Sequence, residues 1–459
     1  MPADHLSTTA TTSGPGLVRW WMTFNDPLLD RLVVRAAAGA KDLHVAVARI
    51  REAKSTLGVL GSRLGPQIDA AGSALRQQTS EHANREATPN DGKTSNRFQA
   101  GLEAGWEPDL FGTTTVAIAA GDIDVSLAEA ERDGVLLAVI GTTVRAYLDF
   151  RANQQRLVLA EAAAAAAADV AALRRDRSTA GIDRPELAFA SAAEADLAAA
   201  AVPTAKAAVA LARHRLAAIC GEAPNGLETL LAETPQPSLP VVPDHLPIGL
   251  PAELLRRRPD LRASERRLAA IVARVGVAEA DLYPQFSVGG SLALQSASLT
   301  NLATADSLLW SLGPSVRWPI LASGRIRASI TVAETKVDQT LASYERAVVE
   351  ALREVADGAV IFGAERDRAK LFAAAAATAE RTARLAADRH TAGLADRLES
   401  RAAQLASIAA ADRALAARQA QAQALVALAQ AVGGGWEDPE LQRAWADPAR
   451  TGVNSDLRP

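Results

Sequence analysis

The chain has 459 residues, with 49 Lys+Arg against 53 Asp+Glu, six His and one Cys; hydrophobic residues make up 49% and aromatics only 4%. A single cysteine excludes a disulfide framework and a multi-cysteine metal site, and a net charge of −4 gives no electrostatic reason to expect nucleic acid. The apolar half is carried by Ala, Leu and Val, in runs such as Ala162–Ala168 and Ala373–Ala377, a bias toward long, closely packed helices.

No stretch reads as a transmembrane helix. The longest uncharged one, Leu282–Ala305, is interrupted by Pro284, Gln285, Gln295 and Asn301. The first residues, Met-Pro-Ala-Asp-His, lack the basic start and apolar run of a signal peptide. On these facts alone the expectation is a soluble, helical, cytoplasmic protein, and the order of the elements overturns it.

In chain order, the first unusual segment follows Pro66, where Ile68, Ala70, Gly72 and Ala74 alternate with Gln67, Asp69, Ala71 and Ser73. A polar stretch, Gln77–Asn96, leads to Phe98, Ala100, Leu102, Ala104 and Trp106, again alternating with small or polar residues. Period-two patterning over about ten residues is that of a strand in a half-buried sheet or a membrane β-barrel. A proline-free block from about Thr113 to Thr179 follows, with Leu136, Ile140, Thr143, Tyr147, Phe150, Gln154 and Leu157 at helical spacing. It ends in a turn at Ala180–Leu187, and a second helix leads to Cys220, expected to be small and buried. The segment Gly221–Pro251 holds six further prolines and is expected to be non-helical.

The pattern then repeats. Phe286, Val288, Gly290, Leu292 and Leu294 alternate with polar or small residues, as do Trp310, Leu312, Pro314, Val316 and Trp318. The apolar faces of these strands, like that of Phe98–Trp106, carry no charge. A second long block, about Ala322 to Ala392, carries the stripe Leu341, Tyr344, Val348, Leu352, Val355, Ala359 and Phe362, and turns at Ala392–Glu399. Phe98/Trp310, Trp106/Trp318 and Arg177–Ile182/Arg389–Leu394 all share an offset of 212 residues. The expected organisation is therefore a first repeat (1–220), a Pro-rich linker (221–250), a second repeat (251–432) and a partly disordered tail from Gly433 (433–459). At ~1.5 Å per residue each long block could run about 100 Å, too long for an ordinary globular core. Four strands cannot close a barrel, and open edges in lipid leave backbone groups unpaired. If the strands span a membrane, chains must pool them: three copies give twelve strands, whereas two give only eight.

The segments Leu250–Glu265 (Leu-Pro-Ala-Glu-Leu-Leu-Arg-Arg-Arg-Pro-Asp-Leu-Arg-Ala-Ser-Glu) and Val275–Phe286 closely resemble the signature of outer-membrane efflux proteins of the TolC-like class, OprM/NodT-type branch. So do Trp20–Leu29 and Gly313–Leu321 with Gly324. The resemblance implies a mainly helical chain with a small β part and an internal two-fold repeat. It implies a homotrimer, with a twelve-stranded outer-membrane barrel (four strands per chain) on a periplasmic α-barrel. It further implies an exit channel without enzymatic activity or cofactor. The partners it implies are a periplasmic adaptor, an inner-membrane transporter of the resistance-nodulation-division (RND) type and outer-membrane lipid. The same fold in type I protein secretion, or a soluble coiled-coil scaffold, are the alternatives.

In such ducts the turns between long helices form the periplasmic constriction. The candidate gate residues are therefore Asp183, Arg184 and Glu186 in the first turn and Asp396, Arg397 and Glu399 in the second. The family often has Asp where this chain has Ala402, which moves the emphasis to Glu399 and Asp396. The aromatics Phe98, Trp106, Phe286, Trp310 and Trp318 are candidates for the membrane interfaces. Members of the branch typically begin with a signal peptide and a lipidated cysteine; without them, membrane placement would rest on the barrel alone. Gly92-Lys93-Thr94 is similar to the end of a phosphate-binding loop but has Ala87 where glycine is required. Arg256, Arg257, Arg258, Arg262, Arg266 and Arg267 interleave with Glu253, Asp260 and Glu265 and are expected to form a solvated helix face. The six histidines have no metal-ligand spacing.

Overall fold

The computed structural model describes residues 18–78, 80, 94–232, 238–243 and 257–446. Gly92 and Lys93, most of the polar first hairpin tip, much of the Pro-rich linker and 250–256 of the signature lie outside the described residues, as do both chain ends. The elements run α1 (Pro27–Gly39), α2 (Lys41–Ser62), β1 (Gln67–Gln78), β2 (Thr94–Trp106), α3 (Thr113–Thr179), α4 (Pro185–Ile219) and α5 (Glu228–Ala232). They continue as α6 (Pro259–Ala280), β3 (Gln285–Ser296), β4 (Leu308–Arg317), α7 (Arg325–Thr391), α8 (Arg397–Ala431) and α9 (Pro439–Ala446). The internal repeat is plain in these lengths: α3 and α7 have 67 residues each, and α4 and α8 have 35 each.

Two compact units emerge, each drawn from both repeats. One comprises Met1–Ala48, Ala130–Arg262 and Arg346–Pro459, the other Arg49–Glu129 and Ala263–Glu345.

The first unit holds the hydrophobic core. Asp26 caps α1 by accepting from the Leu28 and Leu29 amides at 3.0 and 3.4 Å, and Pro27 at the first helical position loses no hydrogen bond there. Trp20, Phe24, Leu29, Leu32 and Leu43 are buried with Leu136, Ile140, Tyr147 and Phe150 of α3, each large apolar side chain contributing about 1.5–3 kcal/mol on burial. The Trp-Trp and Asp-Pro-Leu-Leu signature is thus a cap followed by core residues. A buried polar chain ties the cap to α3. The Tyr147 hydroxyl donates to Asp26, and the fully buried Arg151 donates from Nε to the Tyr147 hydroxyl at 2.9 Å. Cys220 closes α4 and is fully buried, which pushes its thiol up to about 12.

Several expectations are sharpened or corrected here. The tail from Gly433 is packed as far as α9: Gly434 accepts from Trp20 Nε1 at 3.2 Å, Asp438 pairs with Arg19 at 2.9 Å, and Leu441 is buried. The arginine cluster is not simply a solvated face. Arg258 is buried and bound to Asp260 and Glu354, both at 2.7 Å, and to the Ala431 carbonyl at 3.0 Å. Arg262 lies 3.4 Å from the buried Asp133 and over the Trp436 ring, because a buried carboxylate requires a partner. The Pro-rich segment contains the short helix α5, which fits between Pro224 and Pro235. The stripe on α3 is buried from Leu136 to Phe150, but that on α7 is buried at Phe362 and partly covered at Tyr344, Val348 and Val355, with Leu341 and Leu352 41% and 43% exposed. Finally, α4 is long and apolar enough to cross a membrane by length and composition; its many alanines raise the average although Glu194, Asp196 and Pro203 interrupt it.

The second unit holds one antiparallel sheet in the order β1-β2-β3-β4. Asp109 precedes α3 and caps it, accepting from the Thr114 and Thr115 amides at 3.0 and 2.8 Å.

Candidate functional site

Two places carry the candidate residues: the sheet and the paired helix turns. In the sheet, the pairs Ile68↔Ala104, Ala104↔Gly290 and Gly290↔Leu312 fix the register. Paired residues share a face, so the apolar sets of all four strands fall on one side: Ile68, Ala70 and Ala74; Phe98 to Trp106; Phe286 to Leu294; Leu308 to Val316. This face is open, with Ile68 66%, Trp310 70% and Leu312 74% exposed. A contiguous exposed apolar surface of this size marks contact with lipid or another protein. A one-residue slip in any strand would mix the faces.

The opposite face is polar. It carries Gln67, Asp69, Ser73, Arg97, Gln99, Glu103, Gln285, Gln295 and Arg317, with Leu75 and Leu309 as its large apolar exceptions. Asp69 and Glu103 sit directly opposite one another, and the next positions of that row, Ser291 and Ser311, are bonded through their hydroxyls at 2.8 Å. Ser287 and Ser315 repeat the hydroxyl pair at 2.7 Å. Crowding on this face is severe at Gly101, where a Cβ would stand 2.4 Å from the Leu292 carbonyl oxygen and 2.5 Å from Ala293. Only glycine allows so close an approach.

The sequence-predicted aromatics separate into two groups. Trp106, Phe286 and Trp318 gather where the helices enter and leave the sheet, beside the stacked pair Phe111–Tyr283 (5.2 Å between ring centres). Phe98 and Trp310 lie toward the hairpin ends. The two tryptophans of the first group are equivalent in the repeat and bonded alike: Trp106 Nε1 donates to the Leu64 carbonyl at 2.9 Å, Trp318 Nε1 to that of Leu282 at 3.1 Å. Each indole is thereby apolar outward and satisfied inward.

The helix turns share one backbone design. Gly181 and Gly393 take left-handed conformations, φ 72° and 71°. The next amides, of Ile182 and Leu394, reach back to the carbonyls of Arg177 and Arg389, both at 2.8 Å. This is the Schellman closure, which needs a residue without a Cβ penalty; it explains the repeated Thr-Ala-Gly.

The side chains then diverge. In the first turn Asp183 accepts from Arg174 Nη1 at 3.0 Å and from Arg177 Nε and Nη2 at 3.0 and 3.3 Å. The bond from Arg177, with Arg174 beside it, holds the Asp183 carboxyl below the usual carboxylate range even though burial acts the other way. Arg177 also donates from Nη1 to Asp396 of the second turn at 2.8 Å, and so links the two halves. Asp396 in addition caps α8 through the Leu398 amide at 3.3 Å. A second link runs from Asp169 on α3 to Arg401 at 2.5 Å and Arg397 at 3.7 Å on α8. Glu399 pairs with Arg389 at 3.1 Å, both half exposed. Arg184 and Glu186 are exposed and form no ion pair with any described residue.

The structure thus brings Asp183 and Asp396 together through Arg177 and joins Arg397 to the neighbouring link. Glu399 stands in a separate pair, and Arg184 and Glu186 stand apart. The organising residues Arg177, Arg174, Asp169 and Arg401 were not singled out from sequence. Only Arg177 carried a signal, since it opens the repeated motif that Arg389 opens in the second half.

The profile of the outer membrane efflux protein family matches residues 32–222 and 250–434. The chain is 30% identical over 426 residues to the pyoverdine export outer membrane protein OpmQ of Pseudomonas aeruginosa, covering 91% of this chain and 88% of that one. It is 30% identical over 345 residues to the solvent efflux pump outer membrane protein SrpC of Pseudomonas putida, covering 73% and 70% respectively. Among solved structures, the outer-membrane channel OprN superposes with a TM-score of 0.78 at 32% identity over 92% of this chain and 93% of that one. A twice-repeated helical chain, a four-stranded sheet with one apolar face, and these matches agree: the chain belongs to the outer membrane efflux protein family and is a non-enzymatic outer-membrane channel of an efflux system.

Proposed function

We propose that three copies of the chain close a twelve-stranded barrel and a helical duct through which small molecules leave passively. The observation that carries this reading is the sheet: its apolar face is exposed, and β1 and β4 have free edges. An open edge in lipid leaves each backbone group unpaired at a cost of several kcal/mol, whereas β1 of one copy against β4 of the next removes every edge. The exposed positions of the α7 stripe, Leu341 and Leu352, support the same association. Phe98 to Trp106 and Trp310 to Trp318 are each eight residue steps apart, about 26 Å along a strand and near 20 Å once tilted. That is close to the apolar band of an outer-membrane barrel, about 25 Å. The five aromatics then stand at its two borders, with the polar face toward the lumen.

The paired turns form the periplasmic gate. Threefold symmetry repeats Asp183, Asp396 and Glu399 around the axis, and the Arg177 and Arg401 links hold each subunit's two turns together. Arg184 and Glu186 remain available for neighbouring subunits or a partner. Energy and most substrate choice come from an inner-membrane transporter of the RND type, joined through a periplasmic adaptor. Relatives are named for the export of solvents and of pyoverdine, which favours small-molecule efflux over type I protein secretion for this chain.

The test is expression behind a signal peptide, extraction from the outer membrane, mass determination and conductance in a planar bilayer. A trimer with stepwise conductance is expected. A water-soluble monomer without conductance would overturn the proposal.

A further inference from the structure

Resting on the reading that the apolar sheet face meets lipid, the register locates a charge that the channel function does not use. On β1 the outward row Ile68, Ala70, Gly72, Ala74 continues into Arg76 and Gln78. Their partners on β2 are Asn96 and Thr94, one step beyond Phe98, which pairs with Ala74. The lipid-facing side therefore changes at this level from a band without charged side chains to a polar collar with one guanidinium. Arg76 is exposed, and no described carboxylate lies within ion-pair distance of it. The level is the hairpin end, away from the helices, and so faces the outer leaflet.

We infer that Arg76 is a headgroup-binding residue, pairing with phosphates of the phosphorylated glycolipid that forms the outer leaflet. The chemistry favours this occupant. A planar guanidinium matches two phosphate oxygens at once. Long basic side chains at the border of an apolar band extend toward the headgroups while their stems stay on apolar surface. The Asn96 amide and Thr94 hydroxyl add donors on the same face. Threefold symmetry would place three such residues around the barrel, which orders a lipid annulus and fixes the depth of insertion.

A control is built into the fold. Arg97 pairs with Leu75 on the opposite, polar face, one residue from the level of Arg76. Purified full-length protein in detergent would be titrated with fluorescent lipopolysaccharide, with the same material after enzymatic dephosphorylation, and with inorganic phosphate alone. Wild type should lose about tenfold in affinity when the lipid phosphates are removed. Arg76→Gln should show the same tenfold loss on intact lipopolysaccharide, Arg76→Lys a smaller one, and Arg97→Gln none. Equal affinities for wild type and Arg76→Gln, or equal losses in Arg76→Gln and Arg97→Gln, would overturn the inference. Inorganic phosphate displacing the lipid at low concentration would also overturn it, by reassigning the site to free anions. Planar-bilayer conductance of the wild type, measured in parallel, separates these outcomes from failure of the membrane reading itself, which would abolish insertion altogether.

Discussion

The two helix turns are the same backbone solved with different side chains. Gly181 and Gly393 adopt the same left-handed conformation, and both turns close on the carbonyl of an arginine. Yet Asp183 in the first is matched by Ala395 in the second, and Arg174 by Ala386. The first turn is gathered around a shielded carboxylate, whose side chain is only 9% exposed between two arginines. The second has a contact between His390 Nδ1 and the Ala395 carbonyl at 3.1 Å, and the exposed Arg389–Glu399 pair. A duplicated chain thus keeps the turn that geometry demands and is free to vary its charges. The first turn acts as the anchor, and through Arg177 it holds the second.

Breaking that anchor gives the largest expected effect. Arg177→Ala removes the bonds to Asp183 and the link to Asp396 together. Single-channel conductance should rise several-fold and open events lengthen, with the trimer intact by mass. Arg401→Ala, which cuts the second link, should act in the same direction and more weakly. If both leave conductance unchanged, the links do not hold the gate.

Gly181→Ala and Gly393→Ala test the shared part. Each forces a Cβ into a left-handed conformation, at about 1–2 kcal/mol. The two should lower the unfolding midpoint in detergent equally, and a clear inequality would show that the turns are not backbone equivalents.

Acid should act on the first turn only at an extreme. The Asp183 carboxyl is held below its ordinary value of 3.8 by Arg177 and Arg174. Its contribution is therefore complete above that value and is lost as pH falls through the lower, folded one. Conductance should show no step from Asp183 between pH 5 and 8, and any opening below about pH 4 should vanish in Asp183→Asn.

The smallest effect is expected from Glu399→Gln. An exposed pair contributes about 0–1 kcal/mol, so stability should barely change. A shift in cation selectivity without a change in open probability would assign Glu399 to the lumen ring, whereas unaltered selectivity would remove it from the gate.

Much of this protein follows from local pattern. The period-two segments, the proline-free blocks and the 212-residue offset are properties of neighbouring residues, and local propensity carries them into strands, helices and repeats. The weak copy after Pro66 became β1 for that reason. The packing of the start of the tail after Gly433 and of Arg258 and Arg262 is not legible locally, because their partners, Trp20, Arg19, Asp133 and Glu354, lie far away in the chain. Long-range packing decided them.

The sequence by itself determined that every strand has one apolar face, that the helices are about 100 Å long, and that glycine must end two of them. Only the tertiary structure decided that the four apolar faces coincide, because register couples strands that sequence leaves independent. It also decided which charges meet at the turns. Asp183, Asp396 and Glu399 look alike as carboxylates in charged loops, and only the reach of Arg177 across the two halves sets the first two apart from the third.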